Sequence, residues 1–329
     1  MSHLLEVKNL SVTFALRFGE LAAINDVSFT LQRGERFGLV GESGAGKSVT
    51  GFAIINLISK PGYIAGGRVL FENKELNSLS TEEMRRIRGN RISMIFQDPM
   101  MTLNPVLTIG TQMIETILAH KKVTKKQAEE IAIEKLERVH IPSPRKRFKQ
   151  YPHEFSGGMR QRIVIAIALL TDPAIIIADE PTTALDVTIQ AEIMTLLLEL
   201  CESKNMGLIL ITHDLGVVSE VTERIAVMYA GRIVEVGPTR LVIDNPEHPY
   251  TKGLINALPG SQRPGTMLNQ IPGVMPTLTG MPPGCAFHPR CSVRVQECKR
   301  NVPQLMPIGN KNIMAACHLL TGKRTNLEQ

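Results

Sequence analysis

A glycine-rich segment running from Gly41 to Ser48 constrains this chain more than any other part of its sequence. It matches the pattern G-x-x-x-x-G-K-[ST] in full. It follows an apolar segment, Phe37 to Val40, that is typical of a buried strand, and it precedes a helical pattern from Val49 to Ile58. Such a loop wraps so that backbone N–H groups point at one phosphate-sized anion beside the positive end of the helix. The alternative is a chance glycine turn.

The pattern predicts a nucleotide triphosphate with Mg²⁺ in this loop. Lys47 would reach the β- and γ-phosphates, and the hydroxyl of Ser48 would be a ligand of Mg²⁺. The predicted contacts of the loop with the nucleotide are Gly41, Ser43, Gly44, Ala45, Gly46, Lys47, Ser48 and Val49. The loop alone does not distinguish a kinase, a GTPase and a transport ATPase.

A second buried strand, Ile175 to Ala178, runs into the carboxylates of Asp179 and Glu180. At the carboxyl edge of a parallel sheet, Asp179 can hold Mg²⁺ beside the phosphate loop. Glu180 is then placed to polarise an attacking water as general base. The alternative for this pair by itself is an ordinary acidic turn.

Strand and helix patterns alternate along the chain, which predicts an α/β fold with a parallel sheet covered on both faces. A helical section begins near residue 106, where Thr124 and Gln127 have the spacing of a capping box. Around residue 258 the sequence becomes rich in Pro and Gly without a clear period. We therefore predict a nucleotide-binding domain over 1–258, with a helical subdomain at about 98–165, and a C-terminal extension over 259–329.

Further motifs accompany the loop and the carboxylate strand, and they are Met94–Gln97, Phe155–Gln161, Ala184–Asp186 and Ile209–Asp214. With them the chain resembles, over roughly residues 4–258, the nucleotide-binding subunit of an ATP-binding cassette (ABC) transporter. The resemblance implies a P-loop NTPase fold and an ATP-hydrolysing enzyme that uses Mg²⁺ and couples hydrolysis to transport.

The resemblance also assigns roles by position. Gln97 would contact Mg²⁺ and the lytic water, and His213 would contact the γ-phosphate. Asp186 would lie at a dimer seam. The adenine would stack on an aromatic residue near the N-terminus, for which Phe18 is the first choice and Phe14 the second.

The turn formed by Ser156, Gly157 and Gly158 would contact the γ-phosphate of ATP bound on the opposite subunit. A Ser-Gly-Gly turn at a helix start offers N–H donors to an anion. One ATP cannot comfortably use both glycine-rich loops of the same chain. Head-to-tail closure of two subunits would give each ATP one loop from each subunit.

Two segments, Gln97 to Pro105 and His248 to Thr251, resemble those of ATPase subunits of dipeptide and oligopeptide importers. Importers of nickel and other small solutes share some of these markers, and a plain turn is the alternative for the His-Pro-Tyr-Thr segment. The subgroup implies a paralogous second ATPase, two integral membrane permease subunits, an extracytoplasmic solute-binding protein and no nucleic acid. Because no stretch reaches the length of a membrane span, we expect a peripheral protein at the cytoplasmic face of the inner membrane.

A non-transport ABC ATPase is the rival hypothesis. Members of that kind that act in DNA repair carry long coiled coils, and no such insertion lies between Lys47 and Ser156. Members that act in translation carry two cassettes, and this chain has one set of motifs. The sequence therefore favours a transport subunit.

Four of the five cysteines lie near the C-terminus, and they are Cys285, Cys291, Cys298 and Cys317. Four thiolates suit either tetrahedral zinc or a four-iron cluster. The spacing lacks the C-x₂-C pairs usual in zinc ribbons, and longer loops fit around a bulkier cluster. In the peptide-importer subgroup such a tail is associated with a [4Fe–4S] cluster, which the resemblance therefore implies here. Zinc and unliganded thiols remain the alternatives.

Overall fold

Strands and helices alternate along most of the chain, of which this computed structural model describes residues 3–17, 19–183, 185–258, 270–309 and 312–321. The strands are β1 (Leu5–Leu16), β2 (Gly19–Leu31), β3 (Arg36–Val40), β4 (Gly62–Phe71), β5 (Lys74–Glu75), β6 (Ile92–Ile95), β7 (Ile175–Asp179), β8 (Gly207–Thr212), β9 (Arg224–Tyr229), β10 (Arg232–Pro238), β11 (Met306–Pro307) and β12 (Met314–Ala315).

The helices are α1 (Lys47–Ile54), α2 (Thr81–Ile87), α3 (Pro99–Thr102), α4 (Ile109–His120), α5 (Lys125–Arg138), α6 (Pro144–Arg147), α7 (Gly157–Ala168), α8 (Val187–Lys204), α9 (Leu215–Val221), α10 (Thr239–Asp244), α11 (Pro249–Asn256) and α12 (His318–Thr321). Unit 1 combines residues 1–31, 36–77 and 211–329, and unit 2 combines residues 32–35 and 78–210. The C-terminal extension thus belongs to the same unit as the phosphate loop. The predicted bounds of the helical subdomain, at about 98 and 165, and the predicted end of the nucleotide-binding domain at 258 stay a prediction.

Unit 1 contains two groups of strands. In the first, β2, β1, β4 and β5 form an antiparallel sheet in that order. In the second, β11, β12, β10, β9 and β3 lie side by side, and β3 pairs with β9 in parallel from Phe37↔Arg224 to Val40↔Val227. The predicted buried strand before the loop is confirmed, since Phe37, Leu39 and Val40 are fully buried.

Unit 2 contains most of β8, together with β7, β6 and the helices α2 to α8. β6 pairs with β7 in parallel, from Ile92↔Ile175 to Ile95↔Ala178. Every residue of β7 is buried, as its continuous apolar sequence predicts for a strand covered on both faces. This strand delivers Asp179 to its carboxyl end.

α1 ends four residues earlier than its apolar pattern predicts, at Ile54 rather than Ile58. Asn56 takes a left-handed conformation with φ 52°, which an Asn tolerates better than most residues. The N–H of Asn56 donates to the carbonyl of Ala53 at 3.0 Å, and that of Leu57 donates to the carbonyl of Phe52 at 2.8 Å. These bonds satisfy the last carbonyls of the helix and stop it there.

No helix in the described part of the chain is long and apolar enough to cross a membrane.

Candidate functional site

The phosphate loop connects β3 to α1, as the sequence predicts, although α1 begins at Lys47, two residues before the predicted start at Val49. Gly41 has φ 155° and runs so close to β9 that an added Cβ would meet the carbonyl oxygen of Met228 at 2.3 Å. Gly46 precedes α1 in a left-handed conformation with φ 101°, where an added Cβ would meet the Ile24 side chain at 2.8 Å. The loop can therefore take this path only with glycine at these positions.

Lys47 lies across the inside of the loop. Its Nζ donates to the carbonyl oxygens of Gly41 at 2.9 Å and Glu42 at 3.0 Å, and the residue is 5% exposed. The ammonium group is therefore held at the loop itself, next to the N-terminus of α1. This arrangement concentrates positive potential where an anion would enter.

Asp179 ends β7 within unit 2, Glu180 follows it, and the structure brings Gln97 to Glu180. Asp179 is buried, and Glu180 has a left-handed φ of 46°. The Glu180 carboxylate accepts from Gln97 Nε2 and from Thr183 Oγ1, both at 2.9 Å on Oε2. A strained backbone at a residue whose side chain is held by two donors is typical of a functional site.

The Ser156 turn begins α7, and its first residues are open to solvent. Ser156 caps the helix, since its hydroxyl accepts from the N–H of Met159 at 3.4 Å. Asp186 caps α8 in the same way, and its Oδ1 accepts from the N–H of Ile189 at 3.0 Å. Ser156, predicted to contact a phosphate, and Asp186, predicted to lie at a dimer seam, are thus both exposed at helix N-termini.

His213 follows β8 and is exposed, and the next residue, Asp214, caps α9. Of the two aromatic candidates for adenine stacking, Phe18 lies outside the described residues. Phe14 is half-buried in β1 and pairs with Gly62 of β4. The loop, His213 and Phe14 belong to unit 1, while the carboxylate pair and the Ser156 turn belong to unit 2.

Sequence reasoning missed two contacts that reach the phosphate loop from the C-terminal part of unit 1. The Tyr250 hydroxyl accepts from the N–H of Glu42 at 2.9 Å. The Arg290 guanidinium donates to both carboxylate oxygens of Glu42, at 2.7 and 3.0 Å. The His-Pro-Tyr-Thr segment gave a signal for Tyr250, whereas nothing in the sequence around Arg290 indicated a partner more than two hundred positions away.

The four C-terminal cysteines lie near one another in the extension. The N–H of Cys285 donates to the carbonyl of Cys298 at 2.9 Å. Burial, and to a smaller extent the neighbouring thiols Cys298, Cys317 and Cys291, raise the pKa of the Cys285 thiol to about 11. Within the described ranges, no group of three or more His, Cys, Asp or Glu side chains is arranged to hold a metal ion. The structure therefore gives no support for a bound metal in this extension.

Two family models match the chain. Residues 24–183 match the model described as ABC transporter. Residues 234–298 match the model described as oligopeptide/dipeptide transporter, C-terminal region. The second match includes Tyr250 and Arg290.

Curated relatives resemble nearly the whole chain. A dipeptide transport ATP-binding protein of Bacillus subtilis is 52% identical, covering 92% of this chain and 91% of its own. An oligopeptide transport ATP-binding protein of Salmonella typhimurium is 50% identical, covering 92% of this chain and 90% of its own. The solved dimer of an ATP-binding cassette bound to ADP and phosphate is 28% identical with a TM-score of 0.65, covering 72% of this chain and 99% of its own. This similarity confirms the predicted α/β cassette fold.

Proposed function

The chain belongs to the ABC transporter family, among the ATP-binding subunits of dipeptide and oligopeptide transporters, and on this premise we propose how it works. It hydrolyses ATP to energise a membrane importer, and its cargo is di- or oligopeptides. The observation that carries this conclusion is that the similarity extends through the catalytic region and the extension alike. The two relatives are both described as peptide transport proteins, which favours peptides over nickel or another small solute and a transport subunit over a non-transport ATPase.

In the proposed mechanism the phosphate loop binds the triphosphate through its backbone N–H groups and Lys47. Ser48, Asp179 and Gln97 would hold Mg²⁺, which would supply positive charge at the β- and γ-phosphates. Glu180 accepts a proton from the attacking water as general base. Its hydrogen bonds to Gln97 and Thr183 support this role, because they fix the carboxylate in one orientation.

Three further roles complete the nucleotide site. His213 contacts the γ-phosphate, and Phe18, or in its place Phe14, stacks on the adenine. The turn of Ser156, Gly157 and Gly158 binds the γ-phosphate of ATP held by a second ATPase subunit. Its exposure at the start of α7 supports this arrangement, as does the dimeric state of the solved cassette. Binding would close the two subunits, and hydrolysis would release them.

The partners follow from the family. The membrane subunits of an importer are its direct partners, and an extracytoplasmic solute-binding protein acts through them. We propose a paralogous second ATPase and a peripheral location at the cytoplasmic face of the inner membrane. Nucleic acid is not among the partners.

We propose that Cys285, Cys291, Cys298 and Cys317 are the ligands of a [4Fe–4S] cluster; the support is their donor type, since four thiolates suit such a cluster, and not the arrangement of their side chains. Such a cluster would fasten an extension that has little apolar surface of its own. Analysis of iron and labile sulfide in anaerobically purified protein tests this assignment. A colourless preparation that contains zinc would contradict it.

Glu180→Gln is the test of the mechanism. We expect the variant to bind Mg-ATP as the unaltered protein does and to lose phosphate release by about a hundredfold or more, because the general base is gone. Lys47→Ala should instead weaken nucleotide binding itself. Glu220→Gln changes an exposed carboxylate in α9 and is the matched control. Normal hydrolysis by Glu180→Gln would refute the base assignment.

Uptake of labelled di- and oligopeptides by cells with and without this protein tests the cargo. Loss of uptake on deletion, restored by the unaltered protein and not by Glu180→Gln, is the expected result. Unchanged peptide uptake in the deletion strain would refute the peptide assignment.

A further inference from the structure

Glu42, the second residue of the phosphate loop, is held through all three of its polar groups. Its carbonyl oxygen accepts from Lys47 Nζ at 3.0 Å, inside the loop. Its N–H donates to the hydroxyl of Tyr250, and its carboxylate accepts from Arg290. Two of the three contacts therefore come from outside the loop, from the C-terminal part of the chain.

The guanidinium of Arg290 is almost completely enclosed, since its side chain is 6% exposed. Besides its paired bonds to the Glu42 carboxylate, it donates to the carbonyl oxygens of Pro272 at 2.9 Å and Ile271 at 3.4 Å. It also lies over the rings of Tyr229 and Phe287, 5.8 and 6.0 Å from their centroids. Because these contacts fix the position of the guanidinium, it holds the Glu42 carboxylate in one place.

Tyr250 is fixed as firmly. It is fully buried, and its ring packs edge-on against Tyr229 at 4.6 Å between centroids. The start of its helix, α11, is attached to the buried carboxylate of Glu235, which accepts from the N–H groups of Glu247 at 2.8 Å and His248 at 2.9 Å. The hydroxyl that meets Glu42 is therefore a rigid acceptor.

Arg290 neutralises the carboxylate charge of Glu42, which would otherwise repel a phosphate. A carboxylate in a loop that binds a triphosphate repels the ligand, and a freely rotating one could approach the phosphates. The two bonds from Arg290 neutralise this carboxylate and fix its orientation toward the guanidinium. The loop is then pre-formed for an anion, and less ordering is needed when the nucleotide binds.

We propose that Arg290 and Tyr250 are positioning residues for ATP: the C-terminal part of unit 1 holds the phosphate loop in its binding conformation through Glu42. This inference rests on the proposed function, because it takes the loop to be the ATP site. It gives the extension a part in nucleotide affinity, in addition to any structural metal. It also assigns a role to the His-Pro-Tyr-Thr segment, which contains Tyr250 and so places its hydroxyl against the loop.

A double-mutant cycle on the full-length protein tests the proposal, with ATP dissociation constants and steady-state kinetics as readouts. We expect Arg290→Gln to raise the dissociation constant and the KM for ATP by about tenfold while kcat changes less than about twofold, because it alters the loop and not the reacting groups. In a Glu42→Gln background the same substitution should have a much smaller effect. Arg290→Lys, which keeps the charge, should restore part of the affinity.

Tyr250→Phe removes one hydroxyl from the other contact, and it should weaken ATP binding severalfold without unfolding α11. Because Arg290→Gln could disturb folding, Tyr250→Phe keeps the proposal testable in that event. Arg300→Gln changes an exposed arginine of the same extension and should bind ATP normally.

The results distinguish a failure of the proposed ATP site from a failure of the positioning role. If Lys47→Ala binds ATP as well as the unaltered protein, the proposed nucleotide site itself fails. If Lys47→Ala loses binding while Arg290→Gln and Tyr250→Phe keep full affinity, the ATP site stands and the positioning role is overturned. Additive effects of Glu42→Gln and Arg290→Gln would also overturn it, because residues that act through one contact do not add.

Discussion

At the scale of single residues, a buried ionisable side chain, that of His248, caps helix α11. His248 is 1% exposed, and its Nδ1 accepts from the N–H of Tyr250 at 3.1 Å, so the ring serves as the cap of α11 in its neutral form. Burial, and to a smaller extent the charge of Lys252, lower the pKa of His248 from its ordinary 6.5 to about 3. The sequence shows a histidine before a proline but cannot show that the ring is enclosed.

The lowered pKa predicts a loss of stability in acid. Because the folded-state pKa lies below the unfolded one, the stability is fully present above pH 6.5 and declines as the pH falls toward 3. At pH 5 this one group should cost about 2 kcal/mol of unfolding free energy relative to neutral pH. His248→Asn keeps a capping acceptor and does not titrate, so its stability should fall less between pH 7.5 and 5.

Urea unfolding of both proteins across that pH range measures the difference. Burial raises the pKa of Glu235 and gives a contribution of the opposite sign, which both proteins share. Parallel pH curves for the two proteins would show that His248 is not the group that titrates.

At the scale of elements, sequence patterns predict a helix or strand correctly where the hydrogen bonds that define it join residues close in the sequence. The capping box predicted at Thr124 is present, since Thr124 Oγ1 accepts from the N–H of Gln127 at 3.3 Å and Gln127 Oε1 accepts from the N–H of Thr124 at 2.8 Å. The apolar patterns at 207–212 and 215–221 predict a strand and a helix, and β8 and α9 have these bounds. The sequence over 5–40 predicts short strands and turns, whereas β1 and β2 are longer because they pair with each other over most of their length, a non-local contact.

Thr124→Ala should destabilise α5 by about 1 kcal/mol, because it removes the cap of the first turn. Hydrogen exchange at the amides of residues 125–138 is the direct measurement, and it should be faster in the variant. ATP hydrolysis should stay unchanged, since the cap lies at a surface helix of unit 2. Thr124→Ser keeps the acceptor and should exchange at the normal rate; equal protection in Thr124→Ala would mean that tertiary contacts alone hold the helix.

At the scale of the whole molecule, the sequence motifs predict the residues of the candidate site but not the contacts that support it. The phosphate loop, Gln97 and Glu180 are recognisable because their residue types and spacing are dictated by local chemistry. The pairing of Glu42 with Arg290 joins residues 248 positions apart, and an isolated arginine among cysteines gives no pattern that would predict it. Such contacts depend on how the extension folds back within unit 1, which periodicity does not describe.

The Ser156 turn makes a prediction about assembly. If it binds the γ-phosphate on a second subunit, ATP should join two subunits, and the joined state should persist when Glu180→Gln blocks hydrolysis. Ser156→Asp in that background keeps an N-cap acceptor for α7 but adds a negative charge facing the phosphate. Each subunit should still bind ATP, while the ATP-dependent dimer is lost.

Ser156→Asn is the matched control, because asparagine caps a helix as well as aspartate does and carries no charge. Light scattering of the Glu180→Gln protein, alone or with its partner ATPase, with and without Mg-ATP, gives the mass of each form. Dimers with Ser156→Asn and monomers with Ser156→Asp are the expected pair of results, since the two differ only in charge at the predicted phosphate contact. Dimers of equal stability with both variants would place the turn away from the γ-phosphate, and the shared site would have to be abandoned.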